Sequence, residues 1–80
     1  MNPTIRAALD ALSSDRTQPK GPVVDALLDV RLEHPDPAVA AAIDAELASM
    51  PPKLLVTDDA RAALERVDQV IAASPATMSV

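Results

Sequence analysis

The sequence predicts an all-α fold, a compact bundle of four short helices over about 3–14, 22–33, 37–50 and 57–74. Three observations predict it. Large apolar residues recur at helical spacing in four separate segments. The eight prolines fall at the starts and ends of those segments, where a missing backbone N–H does least harm. The one run with strand character, Leu54-Leu55-Val56, has no second strand candidate to pair with and is expected to lie across the bundle end as an apolar strap.

The first helix opens with Asn2 as a capping residue and Pro3 in the first helical position. Ile5, Ala8, Leu9 and Leu12 make its buried stripe, and Arg6, Asp10 and Ser13 face outward. A polar loop follows to Gly21, the only glycine. Pro22 then begins the second helix, in which Val23, Val24, Leu27, Leu28, Val30 and Leu32 form an unusually broad apolar arc. Asp25, Asp29 and Glu33, four apart, line the opposite side as one acidic stripe. So broad an arc exceeds what one neighbouring helix covers. Either two helices of the same domain share it, or part of it meets a partner. Arg31 lies within the arc. Its stem packs on apolar surface and its head pairs with an acid such as Glu46, or it anchors a partner's carboxylate.

Asp36 caps the third helix with Pro37 in first position, and Pro51-Pro52 halts it. Val39, Ile43, Leu47 and Met50 mark its stripe, and alanines, the strongest helix formers, fill the rest. The tight turn from His34 to Pro37 makes the second and third helices a hairpin that resembles one of the HEAT-repeat kind. The likeness is carried by Pro35-Asp36-Pro37-Ala38-Val39 and by Leu47 eight positions after Val39. It covers about a third of the chain, has Ala40 where a basic residue usually follows the valine, and implies hairpin geometry alone. The fourth helix starts with Thr57 as its cap. Asp58 and Asp59 sit on the positive end of its dipole, and Arg61 and Glu65 are an i, i+4 pair. Ala60, Ala63, Leu64, Val67, Val70 and Ile71 form its stripe, and Pro75 stops it. Residues 1–75 thus read as one domain and 76–80 as a flexible tail.

Composition narrows the function. Eighty residues without Phe, Tyr or Trp build a thin core, and without Cys nothing staples it by disulfide or thiolate metal site. A partner, or a second copy, is the remaining way to cover apolar surface. The net charge of −5 and seven scattered basic residues disfavour nucleic acid and anionic membrane. With no Cys, no apolar signal segment and no transmembrane run, a cytoplasmic location is expected. The Ala, Val, Asp, Arg and Pro bias fits a GC-rich bacterial or phage genome.

Chemistry is excluded by specific absences. His34, the only histidine, sits in a turn where it caps the second helix, which leaves no base for a serine or threonine nucleophile. No ligand set for zinc or calcium and no Gly-rich phosphate loop is present, so no catalytic, metal or cofactor residue is assigned and no small-molecule substrate is expected. The expected function is a small acidic, non-enzymatic protein–protein interaction module, an adaptor, assembly subunit or inhibitor of a larger protein. Its surface would combine Val23, Val24, Leu27, Leu28, Arg31 and Leu32 with Leu54 and Leu55. The alternative, a small DNA-binding regulator or antitoxin-like protein, requires Arg16, Lys20 and Arg61 or Arg66 to converge into one basic face.

Overall fold

A computed structural model describes residues 1–73. The chain forms α1 (Pro3–Asp10), β1 (Thr17–Pro19), α2 (Gly21–Glu33), α3 (Pro37–Ser49), β2 (Leu54–Val56) and α4 (Thr57–Ala73). The proposed helix end at residue 74, the stop at Pro75 and the tail over 76–80 lie outside the described residues.

The four helices close into a ring. α1 packs on α2 and α4, and α3 packs on α2 and α4. Ile5, Val23, Leu27, Val30, Val39, Ile43, Leu64 and Val67 meet inside it, each almost wholly removed from water. Leu9, Leu12, Leu47, Met50, Val70 and Ile71 pack around that centre half-buried. The periodic stripes therefore do what their spacing predicts, but in α1, α3 and α4 only their earlier positions are fully buried.

The fold is mostly helical and not purely all-α. β1 and β2 form a small antiparallel sheet with Thr17 opposite Val56, Gln18 opposite Leu55 and Pro19 opposite Leu54. This corrects the expectation that Leu54–Val56 has no strand to pair with. Thr17-Gln18-Pro19 carries no apolar alternation that would announce a strand. It is held there by tertiary contacts: Gln18 and Leu55 point inward, and Pro19 takes the end of the strand, where its missing N–H is tolerated. The Thr57 amide extends the join by donating to the Arg16 carbonyl at 2.8 Å.

Three local expectations also change. α1 ends at Asp10 instead of near residue 14, because the Ser13 amide donates to the Gln18 side-chain oxygen at 2.6 Å instead of continuing the helix. The Thr57 hydroxyl donates to the Asp15 carbonyl and so ties α4 to the loop instead of capping it. Arg61 pairs with Asp58 at 3.4 Å, not with Glu65.

The caps on the other helices match the sequence. Asn2 Oδ1 accepts from the Ile5 amide at 3.1 Å, and Asp36 Oδ1 accepts from the Ala38 amide at 2.8 Å. Asn2 does more than cap. Its own amide donates to Asp68 of α4 at 2.9 Å, and its Nδ2 donates to His34 Nε2 at 2.9 Å. The end of the bundle away from the sheet is fastened through this residue and through the Thr4 hydroxyl, which donates to the Glu33 carboxylate of α2 at 2.9 Å.

Candidate interaction surface

The eight residues expected to face a partner divide into two groups. Val23, Leu27 and Leu55 are 2 %, 0 % and 3 % exposed and belong to the core, so they are not at the surface. Val24 is half-buried, and Leu28, Leu32, Leu54 and Arg31 are exposed. The broad arc of α2 thus has two parts. The 23–27–30 stripe is consumed by the ring, while 24–28–32, one helical step around the cylinder, is left along the outside. Leu28 is 43 % and Leu32 82 % exposed.

Arg31 does not reach Glu46. It forks onto Asp44 of α3, Nε to Oδ1 at 3.1 Å and Nη2 to Oδ2 at 3.2 Å. Glu46 is taken by Arg66 of α4 through two bonds of 2.6 and 2.7 Å. Both forks are bidentate, the geometry in which a planar guanidinium best matches a carboxylate. The hydrogen bonds it donates to Glu46, and then the charge of that carboxylate, hold the Arg66 guanidinium above its ordinary pKa.

Leu54 does not join the α2 surface. On β2, Leu54 and Val56 share the outward face of the sheet at 54 % and 48 % exposure while Leu55 points inward. β1 pairs with that strand and hands over to the start of α2 at Gly21, whereas Leu32 lies eleven residues further on, roughly 16 Å along the helix axis at 1.5 Å per residue. The two apolar patches belong to opposite ends of α2.

A further feature escaped the sequence reading, a groove of about 630 Å³ between α1 and α2. Its walls are Ala7 and Ala8 from α1, Ala11 just past its end and Ala26 from α2, with Leu12 and Val23 also lining it. The only charged residues lining it are Asp25 and Asp29. Gln18 closes the sheet end. The signal for it was present as Ala7, Ala11 and Ala26, small residues on the flanks that face each other, but alanine reads first as a helix former.

Among the described residues no group of three or more His, Asp or Glu could hold a metal ion, and no helix is long and apolar enough to cross a membrane. His34 Nε2 is engaged by Asn2 and lies beside no serine or threonine hydroxyl with which it shares a hydrogen bond. No known protein family, no curated protein and no solved structure matches this chain.

Proposed function

We propose that this chain is a small acidic, non-enzymatic protein–protein interaction module of the cytoplasm, an adaptor, assembly subunit or inhibitor, and that α2 is its contact element. The observation that carries this reading is the Leu28–Leu32 stripe. Single exposed leucines are ordinary. Here two of them, one helical turn apart, stand outside a core that has no aromatic residue and no disulfide to spare them. Burial against a partner would remove both from water, at ~25 cal/mol per Å² of apolar area. The cytoplasmic part rests on a cysteine-free chain, which suits a reducing compartment.

The DNA-binding alternative draws little from the charges. Arg31, Arg61 and Arg66 are each held by a carboxylate, and the cleft that Arg16 and Arg61 both line is also lined by Asp15 and Asp58, which offsets their charge toward a phosphate. The test is affinity purification from the native host with mass spectrometry, run on the wild-type chain and on the Leu28→Gln/Leu32→Gln variant. A stoichiometric partner kept by the first and lost by the second, with an unchanged circular dichroism melt, is the expected result. A monomer that brings down nothing, or a partner indifferent to both substitutions, sinks the reading.

A further inference from the structure

We propose that the α1–α2 groove is the seat of an amphipathic helix from a partner protein, one that carries an apolar stripe and a flanking row of Lys or Arg. This rests on the interaction reading above and names the site and the chemistry of its occupant. At about 630 Å³ the groove is within the ~300–1,000 Å³ typical of binding clefts. It follows α1 from Pro3 to its end at Asp10, seven residue steps or about 10 Å and two helical turns, and continues past the helix to Leu12 and Ser13. Alanine walls let a third backbone approach closely, as in ordinary helix packing, and alanine loses no rotamer freedom when covered. An occupant helix would enter with i, i+3, i+4 and i+7 anchors.

Charge fixes the occupant's sign. Asp25 and Asp29 stand four residues apart on the rim, an axial step of about 6 Å. Neither makes an ion pair or hydrogen bond with another described residue, unlike Asp44, Glu46 and Asp58 on α3 and α4. A helix lying alongside α2 presents cations at i and i+4 with the same spacing, so two such cations meet two carboxylates in register.

Gln18 marks the sheet end of the groove. It is 8 % exposed, lines the groove, and uses its carboxamide oxygen to accept from the Ser13 amide. Its NH2 donates to no described residue. Solvent reaches that nitrogen, since no buried side-chain N or O among the described residues lacks a hydrogen-bond partner.

The test uses two labelled peptides of about four helical turns. Both have a Leu/Ala stripe; one carries flanking lysines at i and i+4, the other glutamates in the same places. Fluorescence anisotropy is read against the wild-type chain, Ala26→Trp, Ala7→Trp, Asp25→Asn/Asp29→Asn and Leu28→Gln/Leu32→Gln, with circular dichroism as the check on folding. The lysine peptide should bind the wild type, lose roughly tenfold or more in affinity against either tryptophan variant, and weaken against the asparagine variant and with added salt. Two tryptophan positions on different helices keep the test alive if one fails to fold. No binding of the lysine peptide to the wild type, equal binding of the glutamate peptide, or indifference to the tryptophan substitutions overturns the groove assignment. Binding lost only in the Leu28/Leu32 variant also overturns it while leaving the interaction reading intact. Self-association abolished by Ala26→Trp would hand the groove to a second copy and overturn the partner-helix assignment.

Discussion

The two helix pairs of this ring are closed by different means. α3 and α4 are joined by the Arg66–Glu46 fork, with Glu46 only 14 % exposed, and the cleft beside it holds about 190 Å³. α1 and α2 meet across alanines, with a groove of about 630 Å³ and two unpaired aspartates at its rim. α1 is fastened at its ends instead, through Asn2 to Asp68 and His34, through the Thr4 hydroxyl to the Glu33 carboxylate of α2, and through Ser13 to Gln18. A helix held at both ends can leave its flank open without coming loose. The difference teaches where this small protein places its stability and where it leaves surface for something else.

The sharpest way to break the comparison is to make matched changes on the two sides. Leu64 of α4 is fully buried against the centre of the ring. Leu64→Ala should lower the unfolding free energy by ~2–5 kcal/mol in urea melts, since a cavity opens in a core too thin to collapse around it. Ala26→Leu on the groove side adds volume where there is room and should stay within about 1 kcal/mol of the wild type. If the two changes cost the same, the groove is not open space and the distinction between the pairs fails.

Next in size is Gln18→Leu, which tests the fastening that lets α1 stand apart. Gln18 is the only acceptor for the Ser13 amide, and its own position is fixed by pairing of β1 with β2. Leucine keeps the burial and removes the acceptor, leaving a partly buried N–H without a partner, at a cost of ~1–3 kcal/mol. Hydrogen exchange should speed up at the Ser13, Thr17 and Gln18 amides more than in α3. A uniform change over the whole chain would mean the sheet end is not a separate fastening.

Gln18 also shows why the sequence disclosed the helices and hid the sheet. Ile5, Leu27, Ile43 and Leu64 sit at positions that periodicity alone picks out, and Asn2 and Asp36 cap as their types predict. Those signals are local. Thr17-Gln18-Pro19 is polar and breaks the strand pattern with a proline, so it becomes a strand only because Leu55 brings β2 against it. The same limit governs the surface. The α2 arc was legible as broad, but which of Val23 or Val24, Leu27 or Leu28 turns inward depends on where α1 and α3 lie. Arg31 chose Asp44 over Glu46 for the same reason, because Arg66 reaches Glu46 from a helix far along the chain.

The two arginine forks give the smallest effects and the finest comparison. Arg31 and Asp44 are 45 % and 58 % exposed, so water and salt screen them on every side, and Arg31→Ala should cost no more than about 1 kcal/mol. Glu46→Gln, which weakens the fork to Arg66 without emptying its space, should lower the urea midpoint by more than Arg31→Ala, because Glu46 is the better shielded carboxylate. The Arg66 guanidinium has its pKa raised by that partner. A cation with a raised folded-state pKa contributes its stabilisation in full below its ordinary value and loses it only as pH climbs through the raised one. Arginine titrates far into the alkaline range, so its own ionisation should leave the Glu46→Gln deficit unchanged from neutral to mildly alkaline pH, while added salt shrinks it. A deficit equal to that of Arg31→Ala would mean that α3 and α4 are not clamped, and that both flanks of the ring are held by the core alone.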